Sequence, residues 1–280
     1  MSLMNLSEKA QTLPQDLLAR WNILLNYFEK QSSALVAFSG GVDSALLCAA
    51  AYAALGERML AVTIHSPVES EKSIETARAH ASQIGFPHQV IEYNDLENPG
   101  FVANPPERCY ICKKARFEKL IDFGRREGFA TLVEGTNADD VDDYRPGRKA
   151  VQELGIQSPL FDLGFTKTEI RALLKALDLP IWNRPSAPCF ATRFPYGSPV
   201  TQEGLQQIAD GEAYMQGLGF DTIRVRHLGE TVKLEVDPEQ FERLAAHRQS
   251  ILEFFTRLGF RYITADLAGY RRGSMNEVLK

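Results

Sequence analysis

Residues 34–51 change hydrophobic periodicity abruptly, and that change constrains the fold more than anything else in the chain. Ala34-Leu35-Val36-Ala37-Phe38 is a continuous apolar run of strand length, and Ala45-Leu46-Leu47-Cys48-Ala49-Ala50-Ala51 is a run of strong helix formers. Between them stands Ser39-Gly40-Gly41-Val42-Asp43-Ser44. A strand with no polar alternation is buried on both faces, as strands of a parallel sheet are. The turn that follows is suited to anions. Glycines let backbone N–H groups approach a phosphate, and the positive end of the helix dipole faces it. No G-x-x-x-x-G-K-[ST] occurs, which argues against the usual lysine-containing phosphoryl-transfer loop.

The first two-thirds of the chain repeats this strand–helix alternation. Leu17, Leu18, Trp21, Leu24, Leu25 and Phe28 fall at helical spacing, giving an amphipathic opening helix that packs on a core. Strands are expected at 59–65, 88–93 and 131–134, with helices near 70–84 and 107–127. This order implies an α/β fold, a Rossmann-like parallel sheet with helices on both faces. Ligands on such sheets bind at the carboxyl ends of the strands. The loop after Phe38, the segment after His65 and Glu134-Gly135-Thr136-Asn137 should therefore meet in one crevice.

Pro185, Pro188, Pro195 and Pro199 interrupt regular structure between Asn183 and Pro199. Beyond them lie a helix near 201–218, strands at 221–227 and 230–236, a helix from Pro238 to Leu258 with Asp237 as its N-cap, and a strand at 261–267. The expected organisation is a large domain over 1–197 and a small α+β domain over 198–280. The length of 280 residues suits two domains, and 44% hydrophobic with 24% charged residues suits a chain that buries a real core. Net charge is −5, so no chain-wide basic field attracts nucleic acid, and nucleic acid is not an expected partner. No apolar run approaches the ~20 residues of a membrane span, and no secretion signal opens the chain. The expected compartment is the cytoplasm. Met1 to Leu3, ahead of Met4, read as a cloning remnant.

Four cysteines in such a chain point to metal or catalysis rather than to a disulfide framework. Cys109 and Cys112 form Cys-Tyr-Ile-Cys at the start of a predicted helix, three residues apart on one face. Nearby lysines and arginines, with the helix dipole, favour their thiolates. Cys189 lies far off in Pro188-Cys189-Phe190-Ala191-Thr192-Arg193, and Cys48 reads as a small core residue. Three thiolates without a fourth suit a [4Fe–4S] cluster that keeps one iron open. Half of a zinc site, a redox dithiol and plain surface cysteines remain alternatives. His65, His80, His88, His227 and His247 show no ligand spacing, and structural roles are favoured for Glu235 and Asp237.

Ser39-Gly40-Gly41-Val42-Asp43-Ser44 resembles the PP-loop of the ATP pyrophosphatase superfamily, which grips the β,γ-pyrophosphate of ATP. Further segments are similar to motifs of one family within it, the LarE family. They are Glu134-Gly135-Thr136-Asn137-Ala138-Asp139-Asp140, Asp143-Tyr144-Arg145-Pro146-Gly147, Pro188 to Gly197, Arg224-Val225-Arg226 and Asp266 to Arg271. The match follows one order from the loop nearly to the C-terminus.

The resemblance implies an ATP-dependent sulfur transferase that helps build a nickel-pincer nucleotide cofactor. ATP with Mg2+ adenylates a carboxylate of pyridinium-3,5-biscarboxylic acid mononucleotide and releases pyrophosphate; sulfur then displaces AMP, leaving a thiocarboxylate. It implies nucleotide binding by Ser39, Gly40, Gly41, Val42, Asp43, Ser44, Gly135, Thr136, Asn137 and Asp139. It implies substrate binding by Arg145, Arg193, Arg224 and Arg226, whose forks suit phosphate and carboxylate. Cys189 matches the catalytic cysteine shared by both branches of the family. In one branch that cysteine gives up its own sulfur. In the other, three cysteines, here matched by Cys109, Cys112 and Cys189, hold a [4Fe–4S] cluster whose open iron carries a hydrosulfide. This chain resembles the second. A homo-oligomer is also implied, and a sulfur donor or downstream cofactor-pathway proteins would be partners. A tRNA-thiolating PP-loop enzyme and a non-catalytic nucleotide or redox sensor are the competing readings.

Overall fold

The computed structural model describes residues 3–141, 146–185, 188–271 and 273–275. Helices α1 (Leu3–Gln11) and α2 (Gln15–Glu29) lead into β1 (Ala34–Ala37), α3 (Val42–Leu55), β2 (Met59–His65), α4 (Glu71–Ile84) and β3 (His88–Glu92). The short α5 (Pro99–Val102), α6 (Arg108–Arg126) and β4 (Thr131–Val133) follow. The four strands form one parallel sheet in the order β3-β2-β1-β4, with Ala34 registered against both Met59 and Thr131. β1 is thus an inner strand, which is why it carries no polar alternation.

The helix after β1 is apolar on every side because it is buried on every side. Ala45 through Ala51 of α3 are all shielded from solvent, Cys48 among them, and burial pushes the Cys48 thiol well above its ordinary range. Trp21, Leu24 and Phe28 of α2 join α3 in one core. On the other sheet face, Phe117, Leu120 and Phe123 of α6 pack with Leu35 and Val62. Both faces are covered, as the continuous apolar strands require.

After β4 come three helices for which the sequence reading has no counterpart: α7 (Gly147–Glu153), α8 (Pro159–Asp162) and α9 (Lys167–Ala176). α9 opens on a complete capping box: the Thr166 hydroxyl accepts from the Glu169 N–H, and the Glu169 carboxylate accepts from the Thr166 N–H. Ile170, Leu173 and Leu174 of α9 reach the same core as α3.

The chain divides into two compact units. The first gathers Met1–Ser66, Glu71–Tyr93 and Cys109–Ala187; the second gathers Pro67–Ser70, Asn94–Arg108 and Pro188–Lys280. Packing therefore groups 188–197 with the tail that the sequence reading begins at 198, and adds two earlier segments. Buried Asn104 explains the longer of them, because its amide donates to the carbonyls of Pro195 (2.7 Å) and Ser198 (2.9 Å).

The second unit holds α10 (Gln202–Gly217), β5 (Ile223–Leu228), β6 (Thr231–Val236), α11 (Phe241–Ala246), α12 (Arg248–Arg257) and β7 (Tyr262–Ala265). β6 lies between β5, antiparallel to it, and β7, parallel to it. This is the expected αββαβ order with one correction. The single helix expected from Pro238 to Leu258 is a 3-10 turn over Pro238–Gln240 followed by α11 and α12, which part at His247. Asp237 precedes the 3-10 turn and makes no side-chain cap.

Candidate active site

The turn from β1 into α3 is braced by its own serines. The Ser39 N–H donates to the Ser44 hydroxyl (3.2 Å), the Gly41 N–H donates to the Ser39 hydroxyl (3.3 Å), and the Ser44 hydroxyl lies 3.2 Å from the Gly41 carbonyl. Gly40 has φ +69°, a left-handed conformation that a side chain would strain. Its carbonyl is turned outward to accept from Arg184 (2.7 Å), a residue absent from the sequence-based site. Gly41 caps α3 without any side-chain hydrogen bond of its own.

Glu134-Gly135-Thr136-Asn137, past the end of β4, closes on the same loop. A Cβ on Gly135 would stand 3.1 Å from the Ser44 nitrogen and 3.2 Å from the Asp43 Cβ, so a side chain there would push the two segments apart by a few tenths of an ångström. The Asn137 amide reaches Asp43 at 3.3 Å, and the Asn137 carbonyl oxygen of the side chain accepts from the Asp139 N–H at 3.0 Å. Seven predicted nucleotide residues in two segments are thus joined directly by hydrogen bonds or close packing: Ser39, Gly41, Asp43, Ser44, Gly135, Asn137 and Asp139.

Glu134 holds this second segment in place. Its carboxylate is buried and accepts from Ser158 (2.6 Å), the Thr136 N–H (3.0 Å) and Lys113 (3.0 Å). Burial alone would raise its pKa; the Lys113 charge and those hydrogen bonds outweigh burial and hold it below the ordinary range. On the other side of the loop, Asp43 meets a cation that the sequence reading passed over. Lys167, the first residue of α9, places its ammonium on both Asp43 carboxylate oxygens, and its backbone N–H donates to Asp139 (2.7 Å). Burial still leaves the Asp43 carboxyl above its ordinary pKa, with the Lys167 hydrogen bond and charge opposing.

The segment after His65 ends in a different arrangement. His65 bridges two exposed carboxylates, Glu71 (2.9 Å) and Glu92 (3.1 Å), whose attraction exceeds the cost of burial and raises the imidazole pKa.

Cys109 and Cys112 lie three residues apart in the first turns of α6, Cys109 exposed and Cys112 partly so, as expected. Both belong to the first unit, and Cys189 belongs to the second. Among the described residues, no three His, Cys, Asp or Glu side chains form a group able to hold a metal ion.

Cys189 stands just before a 3-10 turn over Phe190–Arg193, partly exposed. Arg193 is buried, and its fork grips Glu212 of α10 at 2.9 and 3.0 Å. Its remaining terminal nitrogen donates to the carbonyls of Pro188 (2.9 Å) and Cys189 (3.0 Å). Arg226 is also buried, donating to the Thr192 carbonyl (2.9 Å) and to Glu235 (2.7 Å). Arg224 is half-buried over the Tyr270 ring, and burial with the nearby Arg193 charge lowers its pKa. The C-terminal motif around Tyr270 therefore packs on the Arg224 strand. Arg145 lies outside the described residues.

A family model described as NAD synthase matches residues 19–139. An uncharacterized protein of Synechocystis sp. is 38% identical over 258 residues, covering 91% of this chain and 96% of that protein. Pyridinium-3,5-bisthiocarboxylic acid mononucleotide synthase of Lactiplantibacillus plantarum is 34% identical over 245 residues, 87% of this chain and 89% of the synthase. The tRNA-specific 2-thiouridylase MnmA of Rickettsia canadensis is 27% identical over 201 residues, 59% of this chain and 54% of that enzyme. The parallel sheet and its serine-braced Gly-Gly turn define an α/β enzyme of the PP-loop, ATP-pyrophosphatase class. Within that class, the chain belongs to the LarE family, that of the Lactiplantibacillus synthase. No helix among the described residues is long and apolar enough to cross a membrane.

Proposed function

We propose that the chain activates a carboxylate of pyridinium-3,5-biscarboxylic acid mononucleotide with ATP and exchanges one carboxylate oxygen for sulfur. The observation that carries this reading is the closure of Gly135 and Asn137 onto the serine-braced turn, in a chain similar to the bisthiocarboxylate synthase over most of its length. A carboxylate oxygen attacks the α-phosphorus, the bond to the bridging oxygen breaks, and pyrophosphate leaves. A sulfur nucleophile then adds to the acyl carbon, and AMP departs with the former carboxylate oxygen. The N–H groups of the turn and of the α3 N-terminus face the leaving charge. Asp43 is the carboxylate suited to Mg2+. Arg145 and the half-buried Arg224 are assigned to the substrate's anionic groups. Arg193 and Arg226 support that surface through internal carboxylates and carbonyls.

Cys109, Cys112 and Cys189 are the thiols that would hold a [4Fe–4S] cluster. The accessibility of all three favours it, in contrast with Cys48 in the core. Such a group supplies a transferable sulfur. Exposed Tyr262 and Leu267 on the second unit favour a homo-oligomer. The deciding assay is pyrophosphate release from Mg·ATP with and without the pyridinium dicarboxylate. Release is expected only with it. ATP turnover indifferent to the dicarboxylate would reject the reading. Iron and sulfide content after anaerobic reconstitution, in the wild type and in Cys109→Ala, tests the cluster.

A further inference from the structure

We propose that the groove between α4 and β3 binds a small aromatic carboxylate that also carries a neutral O–H or N–H donor. The groove encloses about 390 Å³, a size typical of small-molecule sites, and is lined by Arg78, Ala81, Ser82, Phe86, His88 and Val90. β3 is the end strand of its sheet, so no further strand covers this flank. His88 is registered against Ala61 and Glu92 against His65, which puts His88 at the amino end of the strand. The nucleotide loop follows the carboxyl end of β1 in the same parallel sheet. The groove is therefore a separate site, and the inference stands apart from the nucleotide reading.

A fixed histidine tautomer dictates the chemistry of the ligand. The buried Thr63 hydroxyl donates its one hydrogen to the Phe38 carbonyl at 2.6 Å. Its oxygen also stands 2.8 Å from His88 Nε2, so Nε2 carries the hydrogen of that contact. Nδ1 is then a bare acceptor, without a hydrogen-bond partner among the described residues and not sealed from solvent. Burial, helped by the Arg78 charge, pushes the imidazole pKa down to about 4, so the ring stays neutral. Phe38 holds the same ring edge-on at 5.5 Å, and Phe86 meets Phe38 at 5.3 Å. The acceptor and the aromatic wall beside it are thus preset. Arg78 is exposed and makes no hydrogen bond or ion pair among the described residues. A carboxylate can meet its guanidinium with two parallel hydrogen bonds, a neutral donor suits Nδ1, and an aromatic body covers Phe86 and Val90. A plain inorganic anion satisfies only Arg78, and a second carboxylate would meet the Nδ1 lone pair.

The probe is 4-hydroxybenzoate, with 4-methoxybenzoate and 4-hydroxybenzamide as controls that lack the donor and the charge. Calorimetric titration of the full chain near neutrality should give a dissociation constant below about 1 mM for the probe and at least about tenfold weaker binding for each control. Arg78→Met, at an exposed position, should weaken the probe by about the same factor while leaving the fold intact. The nitrogen resonance of His88 Nδ1, assigned by its loss in His88→Gln, should move with the probe and stay in place with 4-methoxybenzoate. Saturating Mg·ATP should leave the affinity for the probe unchanged. No detectable binding, equal affinity for the hydroxy and methoxy acids, or an Arg78→Met variant that binds like the wild type would overturn the site. Displacement of the probe by Mg·ATP would also overturn it, by moving the probe to the nucleotide crevice.

Discussion

Arg193 offers the sharpest test of whether a family-like arginine recognises substrate or holds the protein together. Its guanidinium and the Glu212 carboxylate are 3% and 9% exposed and meet in a two-point contact. Arg193→Ala leaves the Glu212 carboxylate buried with the Val225 N–H at 3.2 Å as its remaining described donor. Removing one partner of a buried pair costs about 3–5 kcal/mol, chiefly for the charge left behind. At about 2–4 °C per kcal/mol, that lowers the melting temperature by roughly 6–20 °C. The assay is thermal unfolding with no nucleotide or substrate added, so a role confined to substrate binding cannot contribute. Arg193→Ala/Glu212→Gln should recover much of the loss, since both charges go together. The freed carbonyls of Pro188 and Cys189 should also speed alkylation of the Cys189 thiol in the single variant. A single variant that melts within about 2 °C of wild type, well below the expected shift, would refute the clamp and return Arg193 to the substrate.

Three further outcomes follow from the same geometry. Ser44→Ala removes a hydroxyl that braces the turn, and should lower pyrophosphate release by a factor on the order of 10² while costing about 1 kcal/mol of stability. The depressed pKa of Glu134 contributes stability that is present above the unfolded value and lost as pH falls through the folded value; Glu134→Gln should therefore melt lower near neutrality and show a flatter acid limb in melting temperature against pH. Intact mass after turnover with ATP, magnesium and the pyridinium dicarboxylate should stay unchanged if sulfur is delivered from outside the polypeptide, whereas a species about 34 Da lighter at Cys189 would mark that cysteine as the consumed donor.

How much of this was visible in the sequence depended on the range of the interaction concerned. β1 and α3 announce themselves because burial on all sides leaves a continuous apolar run. The gap at α7 to α9 reflects short helices set among prolines and glycines, although Thr166-Lys167-Thr168-Glu169 carries the T-x-x-E signature of the box that starts α9. That signature could have located the helix but not the reach of Lys167 to Asp43, which only the tertiary fold creates. Arg193 shows the same limit in reverse. Its motif was conspicuous, yet nothing nearby marks Glu212, nineteen positions on, as its partner. The break at His247 has neither glycine nor proline to signal it.

The extent of the NAD synthase match separates what this enzyme shares with its class from what is its own. The match ends at Asp139, so it includes the serine-braced turn, Gly135 and Asn137, and stops before Lys167, Cys189 and the arginines of β5. NAD synthase and tRNA thiouridylase bear names that describe different products, while both resemble part of this chain. Function within a shared fold resides in the site grafted onto it. On the proposed function, nucleotide activation falls to residues 19–139 and acceptor choice to residues beyond them. The candidates in this chain are three arginines. Arg224 rests on Tyr270, Arg226 on Glu235, and Arg193 on Glu212 while holding the Cys189 carbonyl. Buried carboxylates neutralise Arg193 and Arg226 and hold them in the interior, which leaves the half-buried Arg224, over its aromatic ring, as the least buried of the three. On the proposed function, the guanidinium of Arg224 suits a carboxylate or phosphate of the substrate, either of which it can meet with two parallel hydrogen bonds.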